Sequence, residues 1–441
     1  MKETQRAAQK QQLGLLAAIA LVMGNMIGSG VFLLPATLAP YGWNAVVAWV
    51  LTGSGALVLA YLLSRLTRAL PHAGGLSGFV DAAFGPIAAF LMGWIYLVSI
   101  WTAVVTIAVA AISHLSALFP VVSAGEFRPA IAAALLLWIL TALNLRGAKA
   151  AGHFQIVTTV LKVLPLIAVV VLAALVLARG RGSVAPFDPV QLHPGSINAA
   201  AALTLWALVG FESASVAVEK VKNPEVNVPR ATLWGTGLTA LFYVLVCSAI
   251  ALMLPADEVA GSPAPFATFV SHFWSSGWAE VITLFVVISC VGALNGWVLL
   301  QGEMPRAMAA KGILPRWLAQ TDRAGTPVRA LLVSAMIATV FVVMNGARSM
   351  QGLFEYMLLL STSASLWVYL ACSLAAFKLK LARPLAVLGA LYSLWTLWGA
   401  GVEVSGLSFL LMASGIPMLW WARRTAAAVE EFEHAHGIEE A

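Results

Sequence analysis

The sequence predicts an all-α integral membrane protein that crosses the lipid bilayer twelve times. Hydrophobic residues make up 61% of the 441-residue chain and charged residues only 10%, whereas a typical soluble domain carries about 25% charged residues. The lengths of the apolar stretches support the same fold class, because a helix needs about 20 apolar residues to cross the hydrocarbon core. Twelve stretches satisfy this requirement, at 13–36, 43–66, 85–113, 129–145, 154–178, 197–218, 231–254, 278–304, 329–345, 353–377, 384–402 and 405–422.

The distribution of lysine and arginine predicts that both chain ends lie in the cytoplasm. Positive residues accumulate in the cytoplasmic segments of membrane proteins. With the N-terminus inside, 20 of the 25 Lys and Arg residues fall in cytoplasmic segments and four fall outside. The net charge of +6 therefore reflects topology, and no basic cluster indicates nucleic-acid binding. We expect a multi-pass protein of the inner membrane, surrounded by lipid.

Cysteine and histidine usage indicates neither a disulfide framework nor a metal site. Cys247, Cys290 and Cys372 all lie within predicted spans, and no CxxC or Cys/His spacing is present. The chain has no room for a P-loop or Rossmann unit, and its spans show no paired nucleophile and base. We therefore expect no metal, no cofactor and no enzymatic activity.

The first apolar stretch is interrupted at its centre by the sequence Gly24-Asn25-Met26-Ile27-Gly28-Ser29-Gly30. Backbone outside a helix is tolerated at membrane depth only where it lines a protein or water cavity. Many transporters place the ends of two half-helices around their substrate in this way. The alternative is a continuous helix whose small residues pack against a neighbouring helix.

The sixth stretch has a similar interruption at Gly210-Phe211-Glu212-Ser213. The two interruptions occupy matching positions if the chain contains two five-span repeats, at 13–178 and 196–377. Such a pair indicates an inverted-repeat transporter with its site at the repeat interface. The prediction is completed by two additional spans at 384–422 and by cytoplasmic segments at 1–12 and 423–441.

Two charged residues lie deep within predicted spans, where an unpaired charge is unfavourable. Glu212 could face a cavity or a partner, or it could brace the interrupted sixth span. Lys162 could place its ammonium against the carbonyl ends of the first span, where a helix C-terminus favours a cation. It could be a structural cation in place of sodium, or it could carry a coupled proton.

Several motifs resemble the amino acid–polyamine–organocation superfamily: residues 24–36, 205–215, 221–224, 227–232 and 324–328. Within it the chain is most similar to the basic amino acid/polyamine antiporter group, and in particular to arginine/agmatine antiporters. The resemblance implies the LeuT-type fold of twelve spans, with helices 1 and 6 broken and the substrate between spans 1, 3, 6, 8 and 10. It further implies a small amino acid or amine as substrate, with a homodimer as a possible assembly.

The resemblance also implies roles for individual residues. The first interruption would hold the substrate carboxylate, and carbonyl groups of both interruptions would take its amino group. Trp206 would stack on a cationic side chain and close the outer gate; core or lipid packing is the alternative for each aromatic residue. The implied substrate-binding set is Asn25, Met26, Gly28, Ser29, Gly30, Ser99, Ile100, Val104, Trp206, Ala207, Val209, Trp297 and Ser361. The implied gating set is Tyr96, Trp206, Glu212 and Trp297, with Lys162 at the cation site.

Four positions depart from the arginine antiporters. Val104 stands in place of an asparagine, Ile100 of a cysteine, Ser99 of an alanine and Lys162 of a small apolar residue. A lysine at that place instead resembles proton-coupled amino acid permeases and neutral amino acid exchangers of the same superfamily. These departures concern specificity and coupling more than fold.

The predicted function is secondary active transport by alternating access, as an antiporter that exchanges a basic amino acid for its amine. A proton-coupled permease or exchanger of neutral amino acids is the alternative. A channel or a membrane-embedded enzyme is a remote third possibility, because the sequence offers no ring of pore charges and no catalytic pair.

Overall fold

The computed structural model describes residues 14–71, 75–125, 127–146, 148–212, 221–310, 314–322, 325–344, 346 and 348–420. Within these residues the chain forms helices and connecting turns, without a β-strand. The predicted cytoplasmic segments at 1–12 and 423–441 lie outside the described residues.

Apart from residues 415–420, which are helical as well, we number sixteen α-helices of the described chain in chain order. They are α1 (Leu15–Met26), α2 (Gly30–Leu38), α3 (Trp43–Ala69), α4 (Leu76–Phe84), α5 (Pro86–Leu118), α6 (Arg128–Leu145), α7 (Ala148–Ala178), α8 (Pro194–Leu208), α9 (Pro224–Met253), α10 (Ala256–Ala260), α11 (Pro265–Phe273), α12 (Ser276–Ala310), α13 (Val328–Met344), α14 (Met350–Lys378), α15 (Arg383–Gly399) and α16 (Val402–Ala413).

Nine segments of the described chain are long and apolar enough to cross a membrane, and α13 is a shorter apolar helix. A backbone inside a bilayer must satisfy its own hydrogen bonds, so helices are the natural form for such apolar segments. An all-helical, multi-pass membrane protein is therefore confirmed.

The central helix of the bundle is α5. The most apolar part of α5 is entirely buried. In the segment Val402–Trp420, which contains α16, only 17% of the most apolar part is buried. Large apolar side chains on the outer helices are exposed, among them Ile139, Leu391 and Trp398. In a membrane protein such side chains face lipid, so the interior polar residues of α5 and its neighbours are the ones that need a structural explanation.

The helical backbone stops at Met26 and resumes at Gly30. Ile27 leaves the helical region with ψ 83°, and the Gly28 N–H donates to the Met26 carbonyl at 2.8 Å. Ser29 precedes the first turn of α2. A short, glycine-containing turn thus separates two half-helices that lie within one apolar segment.

The helix α8 ends at Leu208, and Gly210 adopts a φ of +115°, a conformation that favours glycine. A Cβ atom at this position would lie 3.1 Å from the Asn25 carbonyl oxygen and 3.2 Å from its carbonyl carbon. The backbone at the end of α8 therefore contacts the backbone at the end of α1 directly. Glycine at position 210 permits both the positive φ and the close approach to the Asn25 carbonyl group.

Candidate functional site: a cavity between two helix ends

A small cavity lies where the interruption between α1 and α2 meets the end of α8. Its walls come mainly from these two segments, with one side chain each from α5 and α12. The lining residues are Asn25, Met26, Gly28, Ser29, Gly30, Ile107, Trp206, Ala207, Val209 and Trp297. None of them is acidic or basic, so helix ends, amides, a hydroxyl and aromatic faces define the chemistry of this cavity.

The N-terminus of α2 supplies hydrogen-bond donors to the cavity. The first N–H groups of a helix have no carbonyl partner within that helix. Ser29 precedes α2, is fully buried, and its Oγ has no hydrogen-bond partner among the described residues. Because the N-terminus also carries the positive end of the helix dipole, this wall suits a carboxylate.

The C-terminus of α8 presents the opposite polarity. The Val209 N–H donates to the Leu205 and Trp206 carbonyls at 3.1 Å each, which closes the last turn of the helix. The final carbonyl groups of a helix carry partial negative charge. The cavity therefore has a donor-rich wall from α2 and an acceptor-rich wall from α8, an arrangement that suits a zwitterion.

Trp206 packs directly on the backbone of the first interruption. A Cβ atom at Gly30 would lie 2.6 Å from Trp206 Cζ3 and 3.1 Å from the Ala207 side chain. The indole also makes an edge-on contact with Phe354 of α14, with ring centroids 5.9 Å apart. Glycine at position 30 thus allows the aromatic ring to cover the N-terminus of α2.

The carbonyl end of α1 is held from outside the cavity by two buried donors. The Lys162 ammonium of α7 donates to the Gly24 carbonyl at 3.0 Å. The Tyr243 hydroxyl of α9 donates to the Met26 carbonyl at 2.8 Å. Both side chains are almost completely buried. The end of α1, where a helix dipole favours a cation, is thereby occupied by side chains of the protein.

Glu212 lies within the second interruption and joins three helices. Its carboxylate accepts hydrogen bonds from the Tyr96 hydroxyl at 3.0 Å, the Tyr369 hydroxyl at 3.1 Å and the Gly210 N–H at 3.0 Å. Three donors compensate for the loss of water around this buried side chain. The carboxylate thus connects the end of α8 to α5 and α14.

Four predicted substrate residues do not line the cavity. The Ser361 hydroxyl donates to the Ser99 carbonyl at 2.9 Å, and the Ser99 hydroxyl donates to the Tyr96 carbonyl at 2.7 Å. The first bond joins α14 to α5, and the second lies within α5. Ile100 and Val104 are buried on α5. The assignment of these four residues to substrate binding remains a prediction.

Sequence reasoning missed three residues around the site: Ile107, Tyr243 and Tyr369. A helical signal for Ile107 was available, since it lies three residues after Val104 and seven after Ile100, hence on the same face of α5. The two tyrosines come from α9 and α14, and no local pattern connects them to the interruptions.

Comparison with known proteins identifies the family. Residues 13–430 match the family model described as amino acid permease. The chain belongs to the amino acid permease family. This membership confirms the resemblance to the amino acid–polyamine–organocation superfamily. As an amino acid permease the protein is a membrane transporter and not an enzyme.

Relatives of this permease include transporters of amines. It is 27% identical to the putrescine transporter PotE of Escherichia coli (strain K12) over 431 residues, which cover 94% of this chain and 95% of the relative. It is 28% identical to PotE of Haemophilus influenzae (strain ATCC 51907 / DSM 11121 / KW20 / Rd) over 427 residues, with 94% and 97% coverage. It is 32% identical to the cadaverine/lysine antiporter of Escherichia coli (strain K12) over 343 residues, with 76% and 75% coverage.

Replacing the Glu212 carboxylate should weaken the junction of this permease and change its response to pH. In Glu212→Gln an amide NH₂ replaces one acceptor oxygen and faces a donor, and such a mismatch costs about 1–3 kcal/mol. The substitution also removes the carboxyl group of the cluster, whose charge changes on protonation. We expect a lower melting temperature in detergent and an altered pH profile of transport.

The exposed Glu280 of α12 provides the matched control, and Glu280→Gln should leave both measurements unchanged. A Glu212→Gln variant that retained the parent melting temperature and the parent pH profile would show that the carboxylate has no role at this junction.

Proposed function

We propose that this permease is an alternating-access antiporter that exchanges an amino acid, preferably a basic one, for its decarboxylated amine. The observation that carries the proposal is the opposition of two half-helix ends across one cavity. The N-terminus of α2 faces the C-terminus of α8, and Gly210 brings the two interruptions into contact. In this proposal the fold is a LeuT-type 5+5 inverted repeat with two additional helices, and α1 with α2 forms the first of twelve spans.

The polarity of the cavity supports an amino acid as one substrate. Its carboxylate would accept hydrogen bonds from the first N–H groups of α2 and from the Ser29 hydroxyl. Its ammonium would donate to carbonyl groups at the end of α8. Placing each charged group at the complementary end of a helix dipole contributes about 0.3–1 kcal/mol in exposed settings and up to about 2 kcal/mol in partly buried ones.

The relatives and the tryptophans support a cationic side chain. The related proteins are named for putrescine, cadaverine and lysine, each of which carries an ammonium group on an alkyl chain. No acidic residue lines the cavity, so a second cationic centre would rest on the faces of Trp206 and Trp297. A tryptophan face attracts a cation by about 0.5–1 kcal/mol at exposed sites and about 2 kcal/mol when desolvated.

Two gates follow from the position of the cavity. The Lys and Arg distribution predicts that both chain ends lie on the cytoplasmic side of the inner membrane. In this orientation Trp206 covers the side of the cavity that faces away from the cytoplasm. The Tyr96–Glu212–Tyr369 cluster lies toward the inner side. Exchange of a basic amino acid for an amine with one additional net charge would move one charge per cycle, worth about 2.3 kcal/mol at 100 mV. The membrane potential could therefore bias the direction of transport.

The decisive experiment is counterflow in liposomes that contain the purified protein. We expect uptake of labelled lysine or arginine to be stimulated when the lumen contains cadaverine or agmatine, because the loaded carrier returns more readily than the unloaded one. Leucine in the lumen should stimulate less. Uptake that depended on a pH gradient and not on any internal amine would contradict the antiport proposal.

Removal of the Trp206 indole should reduce the affinity for cationic substrates. The loss of about 0.5–2 kcal/mol of cation–π attraction corresponds to about a twofold to thirtyfold rise in KM for lysine in Trp206→Leu. The exposed Trp274 offers a control, since Trp274→Leu should keep the parent KM. Equal KM values in the Trp206→Leu variant and the parent would remove the stacking role.

A second candidate function is proton-coupled transport or exchange of neutral amino acids. The contact between the Lys162 ammonium and the Gly24 carbonyl favours it, because an amine at the end of α1 could release and rebind a proton during the cycle. The uncharged cavity lining favours it as well, since a neutral amino acid needs no countercharge for its side chain. The counterflow experiment separates this candidate from the first.

Substitution of Lys162 should slow transport without preventing membrane insertion. In Lys162→Ala the Gly24 carbonyl loses its buried donor, and the end of α1 loses the cation that compensates the helix dipole. We expect normal expression and at least about a tenfold lower turnover, measured as counterflow in liposomes. Lys378→Ala, at an exposed lysine of α14, serves as the control. A fully active Lys162→Ala variant would exclude both the cation and the proton role.

A further inference from the structure

His114 is a buried titratable residue that the proposed transport mechanism does not use. It lies on α5 with 1% of its side chain exposed. Its Nε2 atom is buried and has no hydrogen-bond partner among the described residues. A buried polar atom without a partner costs about 1–3 kcal/mol. An apolar side chain would be more stable at this place, so the imidazole calls for a functional explanation.

His114 lies on the face of α5 that lines the cavity, closer to the outer end of the helix than the cavity is. It follows Ile107, which lines the cavity, by seven residues, so the two side chains share a helix face. At 1.5 Å per residue the separation along the helix is about 10 Å. From Ile107, His114 lies toward the end of α5 that the Lys and Arg distribution assigns to the outside.

The imidazole belongs to an aromatic cluster that joins three elements. Its ring contacts Phe32 of α2 edge-on, with centroids 6.4 Å apart and an interplanar angle of 88°. Phe32 in turn contacts Phe266 of α11 edge-on, with centroids 5.0 Å apart. The neighbouring Ser113 hydroxyl donates to the Pro263 carbonyl just before α11 at 3.0 Å. Phe32 lies two residues after Gly30, so the cluster is attached to the half-helix whose N-terminus forms the cavity wall.

Among the described titratable residues near this end of the bundle, Cys247 of α9 is buried, and its thiol donates to the Val31 carbonyl of α2 at 3.9 Å. Those at the neighbouring helix ends are at least partly exposed. The helix α2 contains none, and α11 contains only His272, which pairs with Glu258 of α10 at 3.3 Å at the surface. The ends of α6, α12 and α14 on this side carry Arg128, Glu280, Glu355 and Tyr356, all partly or fully exposed. Among the described residues no acidic side chain forms an ion pair with the His114 imidazole, so no carboxylate compensates an imidazolium there.

We propose that His114 is a proton-binding site of the outer gate, and that its protonation favours the conformation in which α2 and α11 separate from α5 and the cavity opens outward. The proposal rests on the alternating-access transport proposed above.

The physical argument compares the two states of the gate. With the cluster closed, the neutral imidazole packs against Phe32, whereas an imidazolium would be a buried cation without an acceptor, which is strongly unfavourable. In an open cluster, water would accept hydrogen bonds from both N–H groups of the imidazolium. The open state then binds the proton more tightly, so a fall in pH shifts the population toward it. One proton shifts this equilibrium by at most about tenfold per pH unit.

The test is a titration of the outside pH in oriented liposomes at constant inside pH. Between about pH 7.5 and about pH 5.5, on either side of the ordinary histidine range, the parent should increase its initial uptake of labelled lysine about threefold to tenfold. His114→Phe retains an aromatic edge against Phe32, and it should lack this increase. A His114→Phe variant with the parent profile would overturn the proposal.

The matched control is His272→Gln, which removes a surface histidine on α11. This variant should keep the parent profile. If both histidine variants lost the pH response, the response would belong to the outer surface in general and the proposal for His114 would be wrong.

A second measurement needs no transport. A reporter cysteine at Ala264, which is buried beside the Ser113–Pro263 bond, is labelled with a membrane-impermeant thiol reagent. Acidification should accelerate labelling of Ala264→Cys more than labelling of Ala264→Cys with His114→Phe, by about threefold or more. Because the reporter is the same, the ratio cancels the intrinsic pH effect on the thiol. An unchanged ratio would overturn the proposal, even if none of the amino acids tested were transported and the proposed function were wrong.

Discussion

The contact between the ends of α1 and α8 is the interaction on which the rest of the site depends. Inside a membrane protein each helix end exposes backbone groups that cannot bond to water, and each unsatisfied group is costly. The protein places two such ends together, with Gly210 against the Asn25 carbonyl. A side chain at position 210 would separate them.

The surrounding side chains satisfy selected backbone groups and leave others available. Lys162 and Tyr243 occupy carbonyl groups of α1, and the Glu212 carboxylate accepts the Gly210 N–H. The Ser29 hydroxyl has no such partner among the described residues, and it lines the cavity together with Gly30, the first residue of α2. The groups available to a ligand are therefore those that the fold itself does not consume. Lys162 and Glu212 can therefore stabilise the helix ends and, by doing so, determine which backbone groups remain for a ligand.

The sequence could predict the class of fold because lipid imposes simple requirements. Span length and composition depend on the thickness and polarity of the bilayer, and both appear locally in the chain. The motif at 24–30 likewise identifies where α1 ends and α2 begins, since three glycines, an asparagine and a serine together disfavour a continuous helix. Positions such as Trp206 and Trp297 came from family resemblance, and the structure places both at the cavity.

The remaining site residues depend on packing between distant helices, which no local pattern encodes. Tyr243 and Tyr369 reach the interruptions from α9 and α14, more than 150 residues from Met26 and Glu212 respectively. On α5 the cavity is lined by Ile107, one turn beyond the expected Val104, because helix register relative to a neighbouring helix is set by side-chain fit. Ser361 belongs to the implied substrate-binding set, and its hydroxyl bonds to the Ser99 carbonyl across the α5–α14 contact.

The polarity of the cavity also bears on how one site could serve both partners of the proposed exchange. An amino acid has an anion for the N-terminus of α2 and a cation for the end of α8. A diamine has only cations, so one ammonium would bind at the carbonyl end while the donor wall near Ser29 would keep no anionic partner. The two substrates would then differ in the contacts they make with α2, the half-helix that carries Phe32 toward the outer cluster. Since a ligand shifts a conformational equilibrium only through differential contacts, the carboxylate is the group through which the protein would distinguish the two halves of its cycle.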